Sequence, residues 1–166
     1  NEAIPAAAAT WLRRTLPASA DAGPDPEASD PASYELWLEV PPDDAASTDV
    51  LGFTRDETGG PGALLLMSSI DANATRLQRH DLATGEVVLL GADDRYDVAG
   101  AWQNPETLEV QAVEYLRERQ EVVLLDPSLQ ADLDAVHALR ELPGIGDGEI
   151  SVGRRERSDR WWTVAV

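Results

Sequence analysis

Short apolar runs separated by turn signals recur from residue 50 onward, and this rhythm constrains the fold more than any other feature. Strand-like runs start near residues 51, 98 and 150, which are 47 and 52 residues apart. The first start leads into about four strands within forty residues, and the second start repeats the order of strand, turn, strand and strand. A period near 45 residues with four strands per unit is typical of β-propeller blades. The sequence therefore predicts an all-β fold, an incomplete β-propeller of two to three four-stranded blades.

A helix is predicted near residues 127–142, and it explains why the second interval is the longer one. Asp126 precedes Pro127, which places a capping acid before a proline at the first helical position. Pro143 and Gly144 then provide a stop signal. Three apolar residues share one face of this helix: Leu129, Leu133 and Val136.

The apolar runs do not alternate with polar residues. The ALLLM run at 63–67 and the EVVLL runs at 86–90 and 121–125 are continuous. In a two-layer sandwich, each sheet has one solvent-exposed face, so apolar and polar residues would alternate along its strands. A doubly wound α/β fold would need a helix after almost every strand. Stacked blades cover their middle strands on both faces, so the continuous runs favour a propeller.

The N-terminal part has a different character. Residues 1–33 are predicted to hold a divergent strand followed by a flexible acidic insertion at 18–33, rich in Ala, Pro and Ser. Alternation at 34–40 then predicts a strand, and residues 34–166 are assigned to the blades. The chain stops inside the apolar segment 162–166, so it is expected to be a propeller truncated at its C-terminus.

The charge balance limits the partners. The chain carries 31 acidic and 13 basic residues, a net charge of −18, and every basic residue is arginine. Such a chain repels phosphate backbones and anionic lipid, so neither nucleic acid nor a membrane is an expected partner. No secretory signal and no apolar run of membrane-spanning length is present, which favours a cytoplasmic location. The excess of acid fits either a high-salt habitat or biased codon usage.

The order of several short motifs resembles the N-terminal propeller of prolyl-oligopeptidase-family serine peptidases, in the branch of bacterial dipeptidyl aminopeptidases and acylaminoacyl peptidases. The resemblance covers residues 34–166. Its motifs are VLGF at 50–53, LLMSSIDANA at 65–74, DLATGE at 81–86, YDVAG at 96–100, VQAV at 110–113, VLLDP at 123–127, ADL at 131–133 and RSDRW at 157–161.

This resemblance implies a propeller placed over an α/β-hydrolase domain that carries a serine, aspartate and histidine triad. It also implies that the substrates are short peptides, because the propeller restricts the entry of folded proteins. The hydrolase domain is absent from this sequence, so it is expected as a partner within the same polypeptide. Residues 1–33 depart from the family pattern.

No catalytic, cofactor-binding or metal-binding residue is predicted. A nucleophile elbow needs G-x-S-x-G, and among nine serines only Ser151 has a glycine two positions later, with Glu149 where the first glycine should stand. Chemistry that depends on cysteine is excluded because the chain has none, and its two histidines, His80 and His137, are far apart in sequence. His80 is expected at the surface or on a strand beside a hairpin, and His137 on the inserted helix.

Two further motifs have a functional and a structural interpretation. Residues 71–75 begin like a calcium loop, but Arg76 and Leu82 occupy the positions that need glycine and glutamate, so a turn is favoured. The arginine cluster at 154–160 is interpreted as a solvated hairpin tip balanced by Glu156 and Asp159. The alternative is contact with a partner domain or a peptide carboxylate. Trp161 and Trp162 are expected in the blade core.

Two functional hypotheses follow, from different classes. The first is a non-catalytic, substrate-gating part of a serine peptidase, and the second is a non-enzymatic propeller that binds a protein or ligand. A third possibility, hydrolase activity of this chain alone, would require turnover of peptide p-nitroanilides. Which side chains would contact a peptide is left open.

Overall fold

The computed structural model describes residues 9–14, 34–145, 150–155, 158–160 and 162–165. These residues form eleven antiparallel strands and one α-helix. The first six strands are β1 Ala9–Arg14, β2 Tyr34–Val40, β3 Asp49–Arg55, β4 Pro61–Ser68, β5 Arg76–Asp81 and β6 Val87–Gly91. The remaining elements are β7 Asp97–Gln103, β8 Val110–Leu116, β9 Gln120–Leu124, α1 Gln130–Ala138, β10 Ser151–Arg155 and β11 Trp162–Ala165.

The strands form four sheets in chain order. The first sheet is β1-β2, the second is β3-β4-β5-β6, the third is β7-β8-β9 and the fourth is β10-β11. Each strand pairs with its sequence neighbour, and none of the four sheets closes on itself. The prediction of a predominantly β chain with one inserted helix is confirmed. The predicted insertion at 18–33 lies outside the described residues.

The 81–86 hairpin illustrates how local sequence sets the register. The Asp81 side chain accepts hydrogen bonds from the Ala83 and Thr84 backbone N–H groups at 3.0 and 2.7 Å. Gly85 follows with a φ of 74°, the left-handed conformation that glycine adopts without strain. This hairpin pairs β5 with β6 and places the apolar side chain of Leu77 in the buried interface.

The second and third sheets pack face to face. Their shared core contains Leu65 and Leu77 from the second sheet and Val98, Val113 and Tyr115 from the third. Burying the side chain of a residue such as Leu65 contributes about 1.5–3 kcal/mol. The ALLLM run lies here, and its first four residues are buried, as its lack of alternation predicted.

The EVVLL runs behave differently, and the expectation that they are covered on both faces is wrong. Val87 and Leu89 are each 53% exposed, and Val123 and Leu125 are 39% and 42% exposed. Both runs lie on or beside the outer strands β6 and β9, whereas the fully buried residues of the shared core lie on β4, β5, β7 and β8. A neighbouring sheet therefore covers the central strands and leaves the edge strands partly in water.

The inserted helix packs on the third sheet. Asp126 accepts a hydrogen bond from the Ser128 backbone N–H at 3.0 Å and caps a 3-10 turn at Pro127–Leu129, which continues into α1. Leu129 and Leu133 pack with Trp102 and Ala112, and Val136 is also buried. The predicted helix near 127–142 is confirmed, with the α-helical part at Gln130–Ala138 and 3-10 turns on either side.

Candidate functional site

Ser151, the serine with a glycine two positions later, lies at the start of β10 and pairs with Ala165. It therefore sits in regular strand backbone and not in the strand-to-helix turn that a nucleophile elbow requires. A different serine group connects the 41–48 segment to the end of β4. Ser69 Oγ donates to Asp44 Oδ1 at 2.5 Å and contacts Ser47 Oγ at 2.5 Å. Sequence reasoning missed this group because Ser69 is more than twenty residues away from both Asp44 and Ser47.

The two histidines are on separate elements, as predicted. His80 lies on β5, where its Nε2 is 2.9 Å from Gln78 Oε1 and its ring meets the Trp37 ring edge-on at 5.5 Å. Burial lowers the pKa of His80 below its ordinary value of 6.5. His137 lies on α1 and is exposed.

The loop at 71–75 connects β4 to β5. Its Asn73 side-chain amide donates to the Asp94 carbonyl at 3.0 Å, and Asp97 accepts a hydrogen bond from the Thr75 backbone N–H at 2.7 Å. These contacts hold the second sheet against the start of the third. In the part of the chain that the structure describes, no group of three acidic or histidine side chains is placed to hold a metal ion.

Arg155 overturns part of the interpretation of the arginine cluster as a solvated tip. Its side chain is only 5% exposed, and it forms an ion pair with Asp159. Its guanidinium also lies 4.5 Å above the centre of the Trp162 ring. Arg155 is buried because β10 and β11 bring it against Trp162, whereas Arg160 is exposed. The side chain of Arg154, and all of Glu156, Arg157 and Trp161, lie outside the described residues.

Arg155 also reaches the third sheet. Its Nη1 donates to Gln111 Oε1 at 2.9 Å, and Gln111 Nε2 donates to Asp126 Oδ2 at 2.8 Å. The hydroxyl of Ser128, followed by the Gln111 amide, holds the pKa of Asp126 below its ordinary value. One polar chain thus links the fourth sheet, strand β8 and the cap of the inserted helix. Trp162 is part of the packed core, as expected, with its ring edge-on to Trp102 at 5.7 Å.

A cleft of about 440 Å³ lies between the β8–β9 turn and α1. We call it the cationic cleft, and it is lined by Tyr96, residues 117–122, His137 and Arg140. The spacing of His137 and Arg140 predicts that both lie on one helical face, but nothing in the sequence connects them with Arg117 and Arg119. Only the packing of the inserted helix on the third sheet brings these cations together.

Arg117 is the anchored cation of the cationic cleft. It pairs with Glu121 at 2.7 Å and with Asp93 at 3.2 Å, and its guanidinium lies over the rings of Tyr96 and Tyr115. The backbone N–H of Arg95 makes the largest contribution to lowering the pKa of Asp93, and Arg117 adds to it. Both acidic partners of Arg117 are thus already engaged in ion pairs.

Comparison with known proteins gives one relative of clear significance. The chain is 35% identical over 135 residues to dipeptidyl aminopeptidase BIII of Pseudoxanthomonas mexicana. This chain is similar to part of a dipeptidyl aminopeptidase. The alignment covers 80% of the chain but only 18% of dipeptidyl aminopeptidase BIII, so the chain spans less than a fifth of its relative's length. No family model matches the chain, and no solved structure matches it.

The similarity to dipeptidyl aminopeptidase BIII agrees with the peptidase resemblance of the short motifs, and this relative is bacterial. The contacts described above are packing contacts and ion pairs between neighbouring sheets and the inserted helix. Within the described ranges, no helix is both long enough and apolar enough to cross a bilayer.

Proposed function

We propose that this chain forms part of the β-propeller of a prolyl-oligopeptidase-like serine peptidase and helps to restrict its active site to short peptides. The observation that carries the proposal is the 35% identity to dipeptidyl aminopeptidase BIII along 135 residues. Similarity over that length cannot be confined to one common hairpin motif.

The architecture supports the propeller part of the proposal. The second and third sheets are antiparallel, follow chain order and share an apolar interface around Leu65 and Val113. Propeller blades are four-stranded antiparallel sheets, and the second sheet has this topology. The residues that connect the third and fourth sheets, Trp102 and Trp162, extend the same arrangement.

The proposed role is non-catalytic, with hydrolysis supplied by an α/β-hydrolase domain of the same polypeptide. Acyl transfer by a serine needs a base within hydrogen-bond reach of the hydroxyl and donors for the oxyanion. The bonded serine group at Ser47, Ser69 and Asp44 contains no imidazole. The proposed contribution of the chain is therefore control of access to the active site.

The first test is activity of the whole natural gene product that contains this chain. It should hydrolyse dipeptidyl p-nitroanilides and react with a fluorophosphonate that labels active-site serines, whereas residues 1–166 alone should do neither. A complete gene product without turnover or labelling would contradict the proposal and favour the non-enzymatic binding module. Turnover by the isolated chain would contradict the non-catalytic role.

The second test addresses access. In the whole gene product, Trp102→Ala should loosen the contact between the third and fourth sheets and raise the cleavage of long peptides relative to a dipeptidyl p-nitroanilide. The matched control is Val123→Ala, because Val123 is 39% exposed on the outer strand β9. An unchanged ratio of long to short substrates in a folded Trp102→Ala enzyme would contradict the gating role.

A further inference from the structure

We propose that the cationic cleft binds an oxyanion, either a carboxylate or a phosphate group, through Arg119 and Arg140. The inference is independent of the peptidase proposal. It rests on the charge of the cleft, on buried donors that lack acceptors, and on the chemistry of the cleft walls.

The cleft concentrates cations in a chain that has few of them. Only 13 of the 166 residues are basic and the net charge is −18, yet three arginines and a histidine line this cleft. Of the two acidic side chains in its lining, Glu121 is paired with Arg117, as is Asp93 nearby. Among the lining residues that the structure describes, Glu118 is then the one remaining carboxylate to offset Arg119 and Arg140.

The arginines of the cleft have unused donors. Neither the guanidinium of Arg119 nor that of Arg140 has a hydrogen bond or an ion pair with any residue that the structure describes. The Nε atoms of Arg117 and Arg140 are buried and lack an acceptor within the same described part of the chain. Buried donors are almost always satisfied in folded proteins, by protein groups or by water, so two unsatisfied donors at one cleft favour an acceptor that enters from solvent.

The chemistry of the walls identifies the class of ligand. A guanidinium presents parallel N–H donors that match two oxygens on one carbon or phosphorus atom. A carboxylate or a phosphate therefore fits better than chloride, which offers a single centre. Tyr96 and Val122 add apolar surface, which would accommodate the carbon skeleton that bears a carboxylate.

The test is calorimetric titration of the whole natural gene product with inorganic phosphate and, separately, with N-acetylglutamate, at constant ionic strength. At least one anion should bind saturably at one site. Arg119→Gln and Arg140→Gln should each weaken that binding by about tenfold or more, because each removes a charge-assisted pair of donors. Arg119 is exposed, so Arg119→Gln is expected to fold, and its unfolding curve checks this.

The matched control is Arg55→Gln, which makes the same change in charge. Arg55 is exposed on β3, and its backbone N–H contacts Thr107 in the turn before β8, at the opposite end of that strand from the cleft. It should leave the affinity within about twofold, since a distant surface charge acts only through a screened field. Saturable binding of N-acetylglutamate alone would identify a carboxylate ligand, and binding of phosphate alone would identify a phosphate ligand.

Three results would overturn the proposal. The first is the absence of saturable binding of either anion. The second is a folded Arg119→Gln protein that binds as tightly as the natural protein, which would leave Arg119 outside the site. The third is an equal loss of affinity in Arg55→Gln, because the effect would then belong to overall charge. Arg119→Lys is a further test, because lysine keeps the positive charge but lacks the paired N–H donors of the guanidinium. This variant should bind the anion more weakly than the natural protein does.

Discussion

Arg155 is one of four arginines within seven positions, 154–160, and it is nevertheless almost completely buried. Its charge is balanced by Asp159, its flat face rests on Trp162, and its remaining donors reach Gln111 and the Gln103 carbonyl. Asp159 has a φ of 56°, which aspartate tolerates better than most residues and which turns its carboxylate back toward Arg155. The local charge pattern therefore does not distinguish Arg155, although its side chain connects the third and fourth sheets.

We expect Arg155→Ala to lower the free energy of unfolding by about 2–3 kcal/mol. Loss of one partner from a fully buried ion pair costs about 3–5 kcal/mol, and a smaller loss is expected here because Asp159 is 27% exposed to solvent. Denaturant unfolding measures the change. The control is Arg160→Ala in the same turn, because Arg160 is exposed. Equal destabilisation by the two variants would show that Arg155 has no special structural role.

His80 should make stability depend on pH in the weakly acidic range. Its folded-state pKa lies below the unfolded value of 6.5 because of burial, so the unfolded chain binds the proton more readily. Stability should therefore be complete above pH 6.5 and fall as the pH drops from 6.5 through the lower, folded-state pKa. Thermal unfolding at a series of pH values should show this fall in the natural chain and a weaker one in His80→Gln.

The control for this pH dependence is His137→Gln, which removes the exposed imidazole of α1. It should leave the fall in stability between neutral and weakly acidic pH unchanged. If His137→Gln abolished the dependence and His80→Gln did not, the assignment to His80 would be wrong.

At the scale of elements, the inserted helix is held by its buried face. Leu133 is 6% exposed and packs with Trp102 and Ala112, whereas Leu142, just past the helix, is 50% exposed. We expect Leu133→Ala to cost about 2–5 kcal/mol of unfolding free energy, through lost burial and the cavity left behind. Leu142→Ala should change it by less than about 0.5 kcal/mol. Denaturant titration of both variants tests whether the face of α1, and not apolar content alone, stabilises the third sheet.

Gly91, at the end of β6, permits the close approach of the second and third sheets. A Cβ atom at this position would lie 2.7 Å from Val113 Cγ1 and 3.1 Å from the Tyr115 hydroxyl. Gly91→Ala should therefore destabilise the chain by about 1–3 kcal/mol through overpacking. Adding Val113→Ala should recover part of that loss, because it removes the nearest methyl group. A double variant whose losses simply add would show that the two residues do not meet.

At the scale of the whole molecule, the stack of sheets leaves outer strands that are apolar and, among the described residues, unpaired on one edge. Val87 and Leu89 on β6 are the most exposed members of that strand. Open strand edges promote association, and the net charge of −18 opposes it. We therefore expect residues 1–166 on their own to be marginally stable and to associate, more strongly at high salt because salt screens the repulsion.

Sedimentation velocity at several protein and salt concentrations measures this association. Val87→Lys and Leu89→Lys together should reduce it, whereas Thr84→Lys, in the exposed hairpin turn before β6, should reduce it less. Sharp unfolding at a temperature independent of protein concentration, from a monomer at all salt concentrations, would contradict the prediction. Unfolding at low salt that added salt reverses would instead indicate adaptation to a saline habitat.

The local elements can be predicted from the amino-acid sequence. The hairpin at Asp81 and Gly85, the cap at Asp126 and the continuous run at 63–67 could be recognised because turn chemistry, capping and hydrophobic period act over a few residues. The peptidase resemblance of the short motifs was also available from sequence, and the similarity to dipeptidyl aminopeptidase BIII agrees with it.

The tertiary structure decided which apolar strands are covered and which charges meet. The exposure of 86–90, the burial of Arg155 and the meeting of Arg119 with Arg140 depend on contacts between residues far apart in the chain. The side chains of a strand have the same two-residue period whether or not a neighbouring sheet covers them. An arginine likewise has the same secondary-structure propensity whether its side chain lies in water or against a tryptophan. Burial and electrostatic environment are properties of packing, so they appear only once the sheets and the helix are assembled.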